Sequence, residues 1–196
     1  MGAMPRPRAF DLDVATERAL QLFWSKGYDG TTLEDLTQVM GINRPSLYAA
    51  FGNKEGVFRR ALERYVSGPA AGAAAALDAD TAREVAHRIL RFYADTVGQP
   101  ERPRGCFLVQ GALVSGDEGA SIRQALAEQR RLGEEALILR FERAKREGDL
   151  PADASATDLG RYVWTVCQGI AVQAASGATR NQLRGVVAKA MRAWPD

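Results

Sequence analysis

The stretch TTLEDLTQVMGINRPSLYAAFGNKE, residues 31–55, decides how the chain is read. Its apolar positions recur at helical spacing: Leu33, Leu36, Val39 and Met40, then Leu47 and Phe51, four apart. Between the two sets stand Gly41, Ile42 and Asn43. Gly41 suits the left-handed residue that ends one helix, and Asn43 suits the N-cap of the next. Pro45 then falls in a first turn, where a missing N–H is no loss. Thr31, with Glu34 three residues on, fits a capping box that opens the earlier helix. Helices this short are marginal in water by themselves. The arrangement therefore needs a shared core, for which Phe23 and Phe58 are large apolar candidates on either side. Two short helices about a three-residue corner, with Ile42 pinning it, make the helix-turn-helix layout, whose second helix projects into a DNA major groove.

The residues left off the apolar stripe agree with that use. Arg44 can bond a guanine edge with both arms of its guanidinium, and the small Ser46 and Ala49 let the backbone approach the groove floor. Tyr48 stands one residue off the stripe, so its hydroxyl can reach a phosphate. Asn53-Lys54 opens another helix, whose N-terminus together with the Lys54 charge suits a phosphate oxygen. Between residues 43 and 64 five basic residues (Arg44, Lys54, Arg59, Arg60, Arg64) face two acidic ones (Glu55, Glu63), a local +3 in a chain of net +2. Arg59, Arg60 and Arg64 are also what a solvated helix face looks like. Arg6 and Arg8 on a proline-containing arm could add backbone or minor-groove contacts.

Outward from this stretch the chain reads as all-α. The first helix carries Leu12, Thr16, Ala19, Leu20 and Phe23 on one face and ends at Gly27; the fourth carries Val57, Phe58, Ala61, Leu62 and Tyr65. An alanine-rich junction from Ala70 feeds a helix to about Val97, and GQPERPRG is a loop. Further helices are expected at 106 to about 114, 120–146, 156–176 and 179–194, about nine in all. The organisation is a head, residues 1–66, and a larger body, 67–196. At 196 residues and 46% hydrophobic the chain can bury a sizeable core. Two cysteines, Cys106 and Cys167, are too few for a disulfide framework and lie on apolar stretches, where a free thiol is usually a small buried hydrophobe. His87 is the only histidine and has no second ligand at spacing, so neither a metal site nor a catalytic dyad is expected. Ser115-Gly116-Asp117 lacks a base and an oxyanion partner. No catalytic residue and no cofactor are therefore expected. No apolar run approaches the roughly 20 residues of a membrane span, and the N-terminus has no apolar leader core, which predicts a cytoplasmic protein.

The string from Thr31 to Tyr65 resembles the DNA-binding head of TetR-family transcriptional regulators: a T-x-x-D-[IL] opening, a G-[IV]-x-x-x-x-[LI]-Y-x-x-F core and an x-K-E helix start. RGCFLVQGAL, residues 104–113, is similar to a subgroup of that family. The resemblance implies a homodimer with a divergent ligand-binding body. It also implies that Tyr48 and Lys54 hold phosphates while Arg44, Pro45, Ser46 and Ala49 face bases. With Thr32 added, these seven residues are the expected DNA-facing set. Many members carry histidine or tyrosine after the Leu-Tyr pair; here Ala49 and Ala50 stand there, so operator sequence does not carry over.

The last two helices carry the dimer expectation. Leu159, Tyr162, Val163, Val166 and Ile170 form one stripe, with Trp164 and Ala171 elsewhere on the same helix. Leu183, Val186, Val187, Ala190, Met191 and Trp194 form the final one. Paired with a twofold copy, small Gly169, Ala174 and Ala175 permit a close four-helix interface. An effector pocket for a largely apolar small molecule is expected at Phe92, Tyr93, Cys106, Phe107, Gln110, Trp164 and Gln168. The expected function is a ligand-responsive regulator, a repressor, on a palindromic double-stranded operator. The alternative is a helical protein-interaction module that does not bind DNA, recognisable by association insensitive to salt.

Overall fold

The computed structural model describes residues 10–99, 102–113 and 119–195. Among these there is no strand. The helices are α1 (Leu12–Lys26), α2 (Leu33–Met40), α3 (Arg44–Phe51), α4 (Lys54–Ser67), α5 (Ala71–Ala75), α6 (Ala82–Thr96), α7 (Phe107–Leu113), α8 (Ala120–Arg146), α9 (Ala156–Ala175) and α10 (Arg180–Arg192). Nine of them are seven residues or longer; α5 is a five-residue segment followed by a 3-10 turn, Ala76–Asp78. Arg6, Arg8 and Ser115-Gly116-Asp117 lie outside the described residues.

Polar side chains start most of the helices. Asp11, Asn43, Asn53, Thr81, Ser155 and Thr179 each accept a backbone N–H of the first turn, which satisfies donors the helix itself cannot. The cap of α2 differs from expectation by one residue. Thr32, not Thr31, is the N-cap: its hydroxyl accepts from Asp35 N at 3.0 Å, and Asp35 Oδ2 accepts from Thr32 N at 2.9 Å. Thr31 and Glu34 satisfy the same spacing, but the Thr31 hydroxyl is fully buried and donates to the Gly27 carbonyl at 2.7 Å, closing the preceding turn. Gly41 has φ 69, the left-handed conformation that ends α2.

The alanine run is more than a junction. It folds as α5 and the 3-10 turn, then stops where the Arg140 guanidinium donates to the carbonyls of Leu77, Ala79 and Asp80 at 2.7–3.1 Å. That side chain bonds carbonyls at and just beyond the end of the 3-10 turn.

One hydrophobic core runs from head to body. In the head, Leu20, Leu36, Leu47 and Phe58 are fully buried, so the two short helices are held by α1 and α4. Burying such side chains stabilises by about 1.5–3 kcal/mol each. The junction is aromatic. Phe107, at the start of α7, sits 5.2 Å from Phe58, 5.4 Å from Tyr65 and 6.1 Å from Trp24, centroid to centroid. In the body, α8 and α9 pack lengthwise and α6 lies against α9 and α10. Arg184 of α10 bonds Asp95 of α6 at 2.7 Å.

Candidate nucleic-acid interface

α3 is eight residues long and divides cleanly. Leu47 and Phe51 face inward and are buried, while Arg44, Pro45, Tyr48 and Ala49 are exposed and Ser46 is half-buried. Tyr48 has 48% of its surface exposed, unusual for a large side chain that could have packed. The inward pair is four apart, and the outward set occupies the remaining arc, as one helical turn requires. Asn43 Oδ1 accepts from Ser46 N at 2.9 Å and fixes the entry of the helix.

Close backbone packing sets α3 against α4. A Cβ on Gly56 would stand 1.8 Å from the Phe51 carbonyl oxygen, so only glycine allows α4 to begin there. Lys54, in the first turn of α4, holds its Nζ 4.3 Å from the centroid of the Tyr28 ring. Thr32 is exposed at the start of α2, with its side chain engaged in the cap. The three arginines further along α4 are ion-paired within the protein: Arg59 to Glu55 at 2.7 Å, Arg60 to Glu63 at 3.1 Å, and Arg64 to Glu17 at 2.5 Å. Those pairs make α4 a compensated face. The carboxyl of Asp35 is held at about 2, mainly by the Thr32 backbone N–H and by Lys26 at 3.0 Å.

The seven residues expected around an effector do not form one pocket. Tyr93 and Trp164 line a cleft of about 230 Å³ between α4–α6 and α7–α9. Phe92 and Tyr93 border a second, narrow gap beside Trp24 and Tyr65. Gln168 lies with Trp164 on an outer groove that also carries Arg130, Arg131, Glu134 and Glu135. Gln110 is directed to the Arg104 carbonyl at 3.5 Å. Phe107 lines none of these spaces; it is fully buried in the aromatic junction, because a ring at that position completes the head's core. The Cys106 thiol is buried, 3.2 Å from the Tyr65 hydroxyl, and burial raises its pKa. Cys167 is pushed up by burial too. Sequence reading missed Val66, Leu108 and Leu132 as cleft walls; the signal was the facing alanine run, Ala70, Ala73 and Ala74, whose small side chains leave the space. Among the described residues no group of His, Cys, Asp and Glu is placed to hold a metal, and no helix is long and apolar enough to cross a membrane.

A short helix presented by a glycine corner, its basic and small residues outward, on a helical body, defines the helix-turn-helix regulators. The comparisons agree. Residues 15–61 match the family described as bacterial regulatory proteins, tetR family, and residues 83–191 match the tetracyclin repressor-like C-terminal domain. The HTH-type transcriptional repressor ComR of Escherichia coli (strain K12) is 30% identical over 194 residues, 97% of this chain and 92% of that protein. A cysteine mutant of the TetR family regulator CifR, solved with a 26 bp double-strand operator DNA, is 42% identical with a TM-score of 0.93, over 97% of this chain and all of that one. A TetR regulator from Rhodococcus sp. RHA1 is 39% identical with a TM-score of 0.64, over 94% and 99% of the two chains. The chain belongs to the TetR family of bacterial transcriptional regulators.

Proposed function

We propose that the protein is a dimeric, effector-responsive repressor that binds a palindromic operator in double-stranded DNA. The observation that carries this reading is the outward face of α3, with Arg44, Pro45, Tyr48 and Ala49 exposed together beside the N-terminus of α4. In this reading Arg44 reads a base edge, Pro45, Ser46 and Ala49 let the helix sit close to the groove floor, and Tyr48 holds a phosphate. Lys54 adds a charge at a helix N-terminus, where backbone N–H groups also attract phosphate. Thr32 offers the same positive helix end at the start of α2. Residues 1–66 act as the DNA-binding head and 67–196 as the effector-binding and dimerisation body.

The dimer forms through α9 and α10. Within one chain those helices leave Tyr162, Val172 and Val186 exposed, and a Cβ on Gly169 would meet nothing within 4 Å. The sequence stripes place Tyr162 and Val186 among buried positions; a second copy covers them. A twofold axis there gives two heads reading half-sites about one DNA turn or slightly more apart, roughly 34–36 Å. Effector binding favours a spacing of the heads that no longer fits both half-sites. The protein works in the cytoplasm as a regulator and not as an enzyme.

The test is binding of a palindromic duplex by Arg44→Ala and Tyr48→Phe. Arg44→Ala is expected to lose about 1–3 kcal/mol of discrimination at one base position per half-site. Tyr48→Phe weakens all sequences alike. Unchanged affinity in both variants removes the mechanism, and association insensitive to salt assigns the head to protein binding instead.

A further inference from the structure

We propose that Tyr28 is a positioning residue for DNA binding: the face of its ring holds the Lys54 ammonium where a phosphate of the duplex meets it. This rests on the reading above that Lys54 holds a phosphate, and it gives a task to a buried side chain outside the DNA-facing set.

The ring is a rigid platform. Tyr28 follows Gly27, whose φ of 74 ends α1. The turn beyond is pinned twice: the Thr31 hydroxyl donates to the Gly27 carbonyl at 2.7 Å, and the Thr31 backbone N–H donates to the Tyr28 carbonyl at 3.2 Å. The side chain is more than nine-tenths buried, with its ring perpendicular to Phe58 at 5.5 Å and stacked with Phe23 at 6.0 Å, centroid to centroid. Both neighbours belong to the core of the head, so the ring cannot shift without disturbing it.

Lys54 is the first residue of α4, and its Nζ stands 4.3 Å from the ring centroid, inside the roughly 6 Å over which a cation is drawn to the negative face of an aromatic ring. That attraction fixes the ammonium without cancelling its charge. A carboxylate also fixes a cation, but then competes for it with phosphate. The lysine stem has several rotatable bonds, and ordering it is a cost of association that a side chain already held in place has largely met. The stem springs from the N-terminal turn of α4, which Asn53 caps through the Gly56 backbone N–H at 2.8 Å. The positive end of that helix attracts the same anion. Ammonium and helix end are thus arranged together before DNA arrives.

The experiment measures the affinity of the full-length protein for the duplex that the wild-type chain selects from a random-sequence pool. Position 28 carries tyrosine, phenylalanine or pentafluorophenylalanine, whose fluorines nearly keep the shape of the ring and reverse the sign of its face. Each is made with Lys54 and with Lys54→Gln, and affinity is taken per folded molecule, with folding followed by circular dichroism. Tyr28→Phe is expected to stay within about 2-fold of the wild type, because the face remains. The pentafluoro ring is expected to weaken binding about 3- to 10-fold per protomer, the range of one ordered side chain, and to change nothing beside Lys54→Gln. A ring needed only for the core gives equal losses in both backgrounds instead. Equal affinity of the phenyl and pentafluorophenyl proteins, the same loss in both backgrounds, or a loss in Tyr28→Phe as large as that of the fluorinated ring each overturns the inference and leaves the regulator reading in place. Wild-type affinity of Lys54→Gln removes the phosphate contact and the inference together. A pool that yields no duplex removes the regulator reading itself, and the inference with it.

Discussion

Replacing Phe107 with alanine tests whether head and body move as one unit. The ring begins α7 in the body, is fully buried, and has its three aromatic neighbours in α1 and α4: Trp24, Phe58 and Tyr65, at 5.2–6.1 Å. Truncating a buried Phe to Ala costs about 3–5 kcal/mol. The upper half of that range applies here, because each aromatic contact adds about 0.5–1.5 kcal/mol beyond the buried area and the surrounding rings are themselves too rigid to collapse into the gap. Against a total stability of about 5–15 kcal/mol, that is roughly a quarter or more. The assay is urea unfolding followed by far-ultraviolet circular dichroism and by tryptophan fluorescence, with operator affinity measured under conditions where the variant is folded. Phe141→Ala is the control. Phe141 is equally buried but packs on Trp194, 5.3 Å away, inside the body. Both variants should lose stability, but only Phe107→Ala should also weaken operator binding per folded molecule. A Phe107→Ala loss below about 1 kcal/mol, or operator affinity equal to that of Phe141→Ala, refutes the argument.

Gly56→Ala places a Cβ against the Phe51 carbonyl and should destabilise the head by about 1–3 kcal/mol or more, read as a lower melting temperature. Lys54→Gln should reduce the slope of log affinity against log salt by about 0.9 per protomer, whereas Tyr48→Phe should leave the slope unchanged. Val186→Glu, at an exposed apolar position on α10, should shift sedimentation toward the monomer while the helical content stays. Stability should fall at both ends of the pH range. Asp35, held at about 2 in the folded state, contributes stability above the ordinary carboxyl value that is lost as pH drops toward 2. The buried Cys106 and Cys167 have raised values, so the unfolded chain ionises first and stability declines as pH rises past about 8.5. A denaturation midpoint flat from pH 3 to 10 contradicts both assignments.

Helix positions were legible in residues 31–55 and through the body because each apolar stripe has a single period and most ends carry a cap or a glycine. The bounds of α8 follow directly from periodicity and the EGD stop. The α2 cap was ambiguous, since Thr31/Glu34 and Thr32/Asp35 share one spacing, and only the turn at Gly27 decides between them. What periodicity cannot show is which apolar residue lines a space and which fills one. Phe107 and Trp164 look alike in sequence as aromatic residues on apolar helices. One is a plug between head and body; the other is a cleft wall, because Gly133 on the facing helix gives its ring a place to lie. The alanine run looked like a spacer for a related reason: its function in the fold is the volume its side chains do not occupy.

The cleft has two fixed connections to the helix that positions α3. Its α7 wall, Leu108, adjoins Phe107 in the head's aromatic core, and the neighbouring Cys106 contacts the Tyr65 hydroxyl on α4. Its α8 wall leads back to Ser121, which, after the Arg59 guanidinium, helps to lower the pKa of the Glu55 carboxyl in the first turn of α4. The C-terminal part of α4 itself supplies Val66 to the cleft mouth. α4 is thus bonded near its C-terminal end to an element that lines the cleft, through Tyr65, and lies near another, through Glu55, at its start. A 14-residue helix is about 21 Å long, so a displacement of about 1 Å at one end is a tilt of roughly 3°. The α3–α4 contact at Gly56 leaves no slack to absorb it. Because two half-sites one DNA turn apart must be read together, a tilt repeated in both protomers changes the head spacing twice over. An effector held between α7 and α8 would act on the heads by this route only where it changes the separation of those helices rather than merely occupying the space between them.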